Sequence, residues 1–393
     1  MIFIIVRKCM SLSGNFAVGI KPVCSNKEHP DMPEIEIPSL NKRLSALSRL
    51  GEMLSILYND ESLPKIEGGL AKSMENFRNS IIESGRVNPW FTPENIKFAI
   101  EAWSEALTVT SLNQWILPYQ KGLRENHSPK KVAVIMAGNI PLVGMHDFIS
   151  TLLAGHFFIG KLSVNDNLLL PALAKLLVLV EPGFERMISF TDQKLENFDA
   201  VIATGSNNTS RYFEYYFSKY PHIIRKNRNG VAVLDGTESN TSLQGLASDI
   251  CLYFGLGCRS ISKIYIPEGF NPAYILDACE PFRNNLFDHF KYMNNYIYQK
   301  TILQINLLPF YDNGVILLFD STANSSPISV VHFETYRSAE ALQEKLLLEK
   351  ELIQCIASDS LNIPGSVPLG ATQRPGLWDY ADGIDTLEFL LSL

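Results

Sequence analysis

The spacing of apolar residues predicts a helical region in the first part of the chain. Over residues 36–125 apolar positions recur at helical intervals, and the clearest helix has Thr92 as its N-cap and Pro93 at its first position. Its apolar face is formed by Ile96, Ile100, Trp103 and Leu107. The preceding residues, 1–35, mix Lys, Pro, Asn and Ser without periodicity, and we predict that they are poorly ordered.

Short unbroken apolar runs alternate with helical patterns after residue 130. The strand-length runs are KVAVIMA, FFIGKLS, MISFTD, AVIATG and HIIRKN. Unbroken apolar runs between helices are typical of parallel strands that are buried on both faces of a sheet. This part of the chain is therefore predicted to form a doubly wound, nucleotide-binding α/β unit.

A second α/β unit is predicted after Gly230. Its candidate strands are GVAVLDG, SKIYIP, QINLLPF, GVILLFD and ISVVHFE, and its candidate helices cover residues 242–254 and 339–358. We predict a cofactor-binding domain over residues 36–229 and a catalytic domain over residues 230–358. The C-terminal segment, residues 359–393, is expected to pack back on the cofactor domain or on a partner subunit.

Composition and charge argue against several classes of function. The net charge is −7, from 34 basic and 41 acidic residues, so no basic excess indicates a nucleic-acid partner. The six cysteines include no CxxC pair, which argues against a zinc ribbon or thioredoxin motif and for free thiols in a reducing compartment. The most apolar stretch, residues 167–180, contains Pro171 and Lys175 and is too short to span a membrane. We expect no metal site, no membrane span and a cytoplasmic location.

Two features indicate a phosphate or ribose site at the ends of predicted strands. Thr204, Gly205 and Ser206 follow one strand directly before a helix, whose free amides and positive dipole end suit a pyrophosphate. Lys161 ends another strand, where ligand crevices of such sheets lie. The alternatives are an ordinary strand–helix join and a solvated strand-end lysine.

Cys258 is the candidate nucleophile. It follows Gly255 and Gly257 on a turn between a helix and a strand, where glycines allow a thiol to face a cleft. Asn139, in the GNIP segment after the first strong strand, can donate its amide to a developing oxyanion. The alternatives are a half-buried structural cysteine and a turn or capping asparagine.

The order of these motifs resembles the aldehyde dehydrogenase superfamily. Within it, the chain is similar to acyl-CoA reductases related to the fatty-acyl reductase of bacterial bioluminescence. The segments that carry the closer resemblance are MAGNIPLVGMHDFISTLLAG, FDAVIATGSNNTSRYF, the Cys258 region and PGLWDYADGIDTLEFLLSL, within roughly residues 125–393. The resemblance implies an aldehyde-dehydrogenase-like α/β fold of two lobes with a helical N-terminal region. It also implies a homodimer and the reduction of an acyl thioester to an aldehyde.

The resemblance implies catalytic roles for two residues. Cys258 accepts the acyl group from acyl-CoA or an acyl carrier protein, and Asn139 binds the oxyanion together with the Cys258 amide. The proton donor to the leaving thiol is not given by the resemblance. His146, in GMHDF near Asn139, is a candidate donor, although a capping or helix-surface histidine is the alternative. His222 is a second candidate, since it lies near the expected position of a base.

The implied cofactor is NADPH or NADH. Lys161 would bind the adenosine ribose, or the phosphate that distinguishes NADPH. Gly205 and Ser206, with Thr204 beside them, would line the pyrophosphate.

Two departures from the superfamily pattern bear on the chemistry. Oxidising members carry a water-activating glutamate in a Glu-Leu-Gly-Gly-Lys-like stretch, and the matching residues 224–228 (IRKNR) contain no carboxylate. Water then attacks a thioacyl enzyme poorly, which favours chemistry between a thioester and an aldehyde. The Glu-x-Phe-Gly-Pro element, whose glutamate holds the nicotinamide ribose, is replaced by residues 323–327 (ANSSP). Three alternatives remain open: an aldehyde oxidiser, a non-catalytic acyl-binding subunit, and an acyltransferase without a hydride step.

Overall fold

The computed structural model describes residues 36–59, 68–125, 128–359 and 363–393. The segment predicted to be poorly ordered, residues 1–35, lies outside the described residues. Among the described residues, no helix combines the length and the apolar character needed to cross a bilayer.

Helices precede the first strand, as the apolar spacing predicted. They are α1 (Leu40–Tyr58), α2 (Gly69–Val87), α3 (Pro93–Ala106), α4 (Val109–Ile116) and α5 (Gln120–Arg124). The cap of α3 is confirmed: Thr92 Oγ1 accepts a hydrogen bond from the Asn95 amide at 3.3 Å, and Pro93 is the first helical residue. Ile96 and Ile100 are buried on one face of α3, so this helix is anchored in the core.

The first sheet has five parallel strands, as predicted. They are β1 (Lys131–Ile135), β2 (Phe157–Lys161), β3 (Ile188–Thr191), β4 (Ala200–Thr204) and β5 (His222–Arg225). The connecting helices include α6 (Met145–Ala154), α7 (Leu169–Val180) and α8 (Asn207–Phe217). The strand order is β3-β2-β1-β4-β5, so the direction of winding reverses between β1 and β4. Ligands bind at such a reversal in open parallel sheets, outside the carboxyl ends of the strands.

The second sheet contains six strands. They are β6 (Asn229–Val233), β7 (Ile261–Pro267), β8 (Tyr311–Asp312), β9 (Leu317–Asp320), β10 (Val330–Tyr336) and β11 (Ile353–Ala357). Their order is β11-β6-β7-β10-β9-β8, and only the short β8 runs antiparallel to its neighbour within the described residues. The remaining helices are α9 (Asn240–Cys251), α10 (Ala273–Ala278), α11 (Arg283–Phe287), α12 (Phe290–Ile305), α13 (Ala339–Leu348) and α14 (Thr386–Leu391).

Two predictions of secondary structure in the second unit are wrong. QINLLPF is not a strand, because its first two residues end α12 and Leu307 is 90% exposed. An apolar run of strand length does not by itself distinguish a strand from the end of a helix. Residues 339–358 are not one helix, because α13 ends at Leu348 and a 3₁₀ turn leads into β11, where burial alternates with a period of two.

The C-terminal segment packs against α4, α6 and the residue before β2. Trp115 Nε1 donates to the Tyr380 hydroxyl at 2.8 Å, and His156 Nε2 lies 2.7 Å from the Leu390 carbonyl oxygen. α14 lies against α6. The boundaries of the domains themselves remain predictions.

Candidate functional site

A cavity of about 550 Å³ lies beside Cys258, at the carboxyl ends of β1 and β4. This volume is in the usual range for small-molecule sites. The strand order reverses at these two strands, so the cavity occupies the position where such sheets bind ligands. The second unit contributes the Cys258 turn to the wall, and the C-terminal segment contributes Leu377 and Asp382 among others.

An apolar wall of the cavity comes from α3 and from the loop after β1. Ala99, Ala102 and Trp103 line it from α3, and Ile140 and Val143 line it from the loop. Because two alanines occupy successive turns of α3, the helix leaves room on this side of the cavity. Such a wall suits an apolar ligand group.

The turn before Cys258 has an unusual backbone. Tyr253, Phe254 and Gly255 have φ of +53°, +58° and +73°, all in the left-handed region. The Tyr253 amide donates to Asn95 Oδ1 at 3.3 Å, which holds the turn against α3. A glycine at position 255 adopts this φ without the strain that a side chain would add. Gly257 has no such φ, and a Cβ there would lie 3.2 Å from Ser260 Oγ.

The Cys258 thiol is half-buried and lines the cavity. Burial, followed by the nearby Asp382 carboxylate, raises the pKa of this thiol above its usual range. Three groups oppose that increase in the pKa but do not overcome it: the backbone amides of Arg228 and Cys258, and the Arg259 guanidinium. The resting state is therefore a neutral thiol. The other cysteines among the described residues, at positions 251, 279 and 355, are buried.

Asn139 lines the same cavity and is tied to the Cys258 turn. Its Nδ2 donates to the Leu256 carbonyl oxygen at 2.8 Å, and its Oδ1 is buried without a partner among the described residues. An amide nitrogen carries two hydrogens, so one N–H is left for a further acceptor. The structure thus brings the predicted oxyanion donor and the predicted nucleophile into one cavity.

His146 also lines the cavity, and one of its ring nitrogens makes a firm hydrogen bond. Nε2 donates to the Leu377 carbonyl oxygen at 2.9 Å, whereas Nδ1 lies 3.4 Å from Ser150 Oγ, whose hydrogen is donated to the His146 carbonyl oxygen at 2.7 Å. Burial lowers the pKa of His146. Its role as a proton donor stays a prediction. His222, the first residue of β5, is exposed and does not line the cavity.

Thr204, Gly205 and Ser206 line the cavity at the end of β4, as the strand–helix join predicted. Ser206 caps α8: its Oγ lies 3.3 Å from the Thr209 amide nitrogen, which donates to it. Its hydroxyl is therefore engaged in the helix cap. The backbone amides at the start of α8 remain the natural contacts for an anionic ligand.

Lys161 lies outside the wall of the cavity. It is the last residue of β2 and is paired in register with Ile135 of β1, so it stands at the same edge of the sheet as the cavity. Its ammonium group donates to the Asp192 carbonyl oxygen.

A buried ion pair lies in the wall of the cavity. One of its members, Arg225, belongs to residues 224–228, which match the stretch that carries the water-activating glutamate in oxidising aldehyde dehydrogenases. Arg225 forms a bidentate pair with Asp147, at 2.6 and 2.8 Å, and also donates to Thr386 Oγ1 at 2.9 Å. Both charged side chains are 7% exposed. The pair joins β5, α6 and α14.

Residues 323–327 do not line the cavity. The Asn324 side-chain amide donates to Glu349 Oε2 at 2.8 Å, and Ser262 Oγ donates to the Asn324 carbonyl oxygen at 2.7 Å. This stretch therefore makes internal contacts in the second unit.

Three of the wall residues that the sequence predictions did not name share an unusual backbone conformation. Leu142, Tyr253 and Asp382 all line the cavity, and each has φ between +50° and +60° although none is a glycine. Strained residues of this kind cluster at functional sites. No spacing pattern indicates them, because a left-handed backbone at a non-glycine residue leaves no signal in the sequence.

The comparisons with known proteins identify the family and the fold. The family model of the acyl-CoA reductase LuxC matches residues 38–273, more than half of the chain. Two curated relatives are named long-chain acyl-protein thioester reductase. One, from Photorhabdus laumondii, is 23% identical over 169 residues, which is 39% of this chain and 35% of that protein. The other, from Vibrio harveyi, is 25% identical over 146 residues, which is 33% of this chain and 31% of that protein. The aligned region thus spans about a third of the curated relatives' length.

Solved aldehyde dehydrogenases have the same fold. The aldehyde dehydrogenase 21 of Physcomitrella patens, in complex with succinate, matches with a TM-score of 0.57 and 12% identity, over 90% of this chain and 87% of that one. The NAD⁺ complex of a Bacillus cereus aldehyde dehydrogenase matches with a TM-score of 0.56 and 13% identity, over 83% of this chain and 73% of that one. The aldehyde-dehydrogenase-like fold with two parallel-sheet lobes and a helical N-terminal region is confirmed. With the family model matched over more than half of its residues, this chain belongs to the acyl-CoA reductase (LuxC) family.

Proposed function

We propose that this protein reduces an acyl thioester to an aldehyde, with Cys258 as the residue that carries the acyl group. The observation that carries the proposal is a single cavity whose wall brings together the Cys258 thiol, Asn139 and the carboxyl ends of β1 and β4. Membership of the acyl-CoA reductase family supports the same chemistry.

Acyl transfer to Cys258 is the first step. Its Sγ attacks the carbonyl carbon of the thioester, and the bond from that carbon to the donor sulfur breaks. The second N–H of Asn139 and the Cys258 amide are the donors for the oxyanion, and each such donor contributes about 3 kcal/mol to the transition state. The apolar wall formed by α3 accommodates the hydrocarbon part of the acyl group.

The fate of the acyl group depends on residues 224–228. In that stretch Arg225 is committed to Asp147, and none of the five residues is the glutamate that activates water in oxidising aldehyde dehydrogenases. The absence of that glutamate favours reduction over hydrolysis, although the Asp382 carboxyl group lies in the wall of the same cavity. A bound nicotinamide cofactor supplies the hydride that converts the thioacyl group to an aldehyde.

The residues at the end of β4 fit a nicotinamide dinucleotide. Gly205 and the first amides of α8 offer backbone donors to the pyrophosphate, at the reversal of the strand order. Lys161 stands at the same edge of the sheet and is proposed to bind the adenosine ribose or its phosphate. The NAD⁺ complex of the Bacillus cereus enzyme supports a nicotinamide cofactor, with NADPH or NADH as the form used here.

The acyl donor is proposed to be acyl-CoA or an acylated carrier protein. The names of the two curated relatives refer to acyl-protein thioesters, which supports a protein-bound donor. A homodimer is proposed from the family resemblance.

An aldehyde assay tests the proposal. The protein is incubated with NADPH and a panel of acyl-CoA thioesters, and aldehydes are identified by mass spectrometry while NADPH absorbance is followed. We expect aldehyde formation matched by loss of NADPH. Free acid without aldehyde would favour the acyltransferase alternative. A separate fluorescence titration that detects no NADPH binding would favour the non-catalytic subunit.

A further inference from the structure

Asp382 brings a carboxyl group into the cavity from the C-terminal segment. Its φ is +59°, and its side chain is 7% exposed. Oδ2 accepts a hydrogen bond from the Lys226 amide at 3.1 Å. Oδ1 lies 3.6 Å from Arg228 Nε, which is longer than a hydrogen bond. One carboxyl oxygen is therefore available for proton transfer in the cavity.

Other titratable groups in the wall are less suited to this transfer. Both oxygens of Asp147 accept from Arg225, and burial lowers the pKa of His146, which makes its ring a weaker base. Asp379 and Asp382 each keep one oxygen outside a hydrogen bond among the described residues. Of these two, Asp382 is the carboxylate that acts on the Cys258 thiol.

Asp382 and Cys258 influence each other's ionisation. The Asp382 carboxylate, after burial, raises the pKa of the thiol, so the thiol needs a base before it can attack. Burial also raises the pKa of Asp382 itself. Arg228, the Lys226 amide and Arg225 oppose that increase, and Glu351 adds to it. A buried carboxyl group beside a thiol is placed to accept a proton and to release it again.

We infer that Asp382 is a catalytic residue that takes the proton from Cys258 Sγ during acyl transfer and gives it to the departing thiol. The inference rests on the proposed function. As Sγ bonds to the acyl carbon, its proton moves to Asp382. As the bond from that carbon to the donor sulfur breaks, the proton moves on to the donor thiolate, and the carboxylate is restored. In the later reduction, hydride addition and cleavage of the carbon–sulfur bond release the aldehyde. The Cys258 thiolate then takes up one proton from solvent through Asp382.

The variant Asp382→Asn tests the inference, because its side-chain oxygen can still accept from the Lys226 amide. Thiol release from dodecanoyl-CoA is followed in a single turnover without NADPH, between pH 4 and 9.5. We expect the wild-type rate to rise with pH as Asp382 ionises and then to level off. The variant is expected to lose on the order of a hundredfold at pH 7. Its rate should keep rising into the alkaline range with ionisation of the thiol itself.

Alkylation of Cys258 gives a second measurement that does not depend on acyl chemistry. Iodoacetamide modification of the Cys258 peptide is followed by mass spectrometry against pH. In Asp382→Asn the negative charge beside the thiol is removed, so the pKa of Cys258 should fall. The pH dependence of its alkylation should therefore shift to lower pH than in the wild type. The control is Glu83→Gln, which removes an exposed carboxylate paired with Arg86 on α2 and should leave both profiles within about twofold of the wild type.

The outcomes separate the two proposals. A wild-type protein that releases no thiol from the thioester contradicts the proposed function as well as the inference. A wild-type protein that acylates while Asp382→Asn keeps its rate and pH profile contradicts the role of Asp382 alone. If Asp382→Asn is both acylated and alkylated faster than the wild type, the inference about Asp382 is also overturned. The Asp382 carboxylate would then only disfavour the ionised form of the Cys258 thiol.

Discussion

At the residue scale, the glycines before Cys258 distinguish this cysteine in the sequence from the cysteines of the core. Cys251, only seven positions earlier, is buried in the core of the second unit, whereas Cys258 lines the cavity. The left-handed φ of Gly255 explains why the chain places a glycine there. Asp382 was not predicted, because a single aspartate in a distant loop carries no periodic pattern. Its position depends on the packing of the whole C-terminal segment.

Gly255→Ala should distort the Cys258 turn. Its φ of +73° disfavours any side chain, so we expect a loss of about 1–2 kcal/mol in the free energy of unfolding and slower acylation of Cys258. Urea denaturation and the thiol-release assay measure the two effects. Gly69→Ala, at the start of α2 in open space, is the matched control and should leave stability unchanged or slightly higher. Equal effects of the two substitutions would contradict the proposed need for a glycine at 255.

Lys161→Ala tests the proposed ribose contact. We expect the KM for NADPH to rise by about tenfold, which corresponds to the loss of a charge-assisted hydrogen bond, while the KM for the acyl donor changes little. Initial rates at varied NADPH and varied acyl-CoA separate the two constants. Lys194→Ala removes a lysine that is 87% exposed, and serves as the control. A parallel increase in both constants for Lys161→Ala would argue against the contact.

At the scale of elements, the sequence predicted the first sheet more accurately than the second. Strands β1 and β4 are buried on both faces, and their unbroken apolar runs are the pattern that indicates such strands. In the second unit, Leu347, Leu348 and Leu352 continue the apolar spacing of α13, although all three are exposed. Because these apolar residues continue the helical spacing, the sequence predicted a helix that extended into β11, but their exposure shows that they do not form a buried helix face. Which runs are buried is decided by tertiary packing, which the local pattern does not contain.

Asp147→Asn should weaken the junction of β5, α6 and α14. The substitution leaves the Arg225 guanidinium buried without its counter-charge, which costs about 3–5 kcal/mol in the free energy of unfolding. Chemical denaturation measures this loss. Glu52→Gln, which breaks an exposed ion pair with Arg49 on α1, should change stability by less than about 0.5 kcal/mol. Similar small changes in both variants would show that the buried pair does not stabilise the junction.

At the scale of the whole molecule, the site is assembled from segments far apart in the sequence. The loop after β1, the end of β4, the Cys258 turn and the C-terminal segment meet at one cavity. The order of the motifs predicted the first two of these, because the carboxyl ends of parallel strands lie at one edge of a sheet. The family resemblance predicted the Cys258 turn, which precedes β7 of the second sheet. The contribution of the C-terminal segment to the wall depends on long-range contacts such as Trp115 with Tyr380, which no local pattern indicates.

The most direct test of the account is to identify the acylated residue. The wild-type protein and Cys258→Ser are incubated with dodecanoyl-CoA without NADPH, digested at low pH and examined by peptide mass spectrometry. We predict a hydroxylamine-sensitive acyl group on the Cys258 peptide of the wild type, which disappears when NADPH is added as aldehyde forms, and no acyl thioester in Cys258→Ser. An acyl group on another cysteine, or the same labelling in Cys258→Ser, would contradict the account.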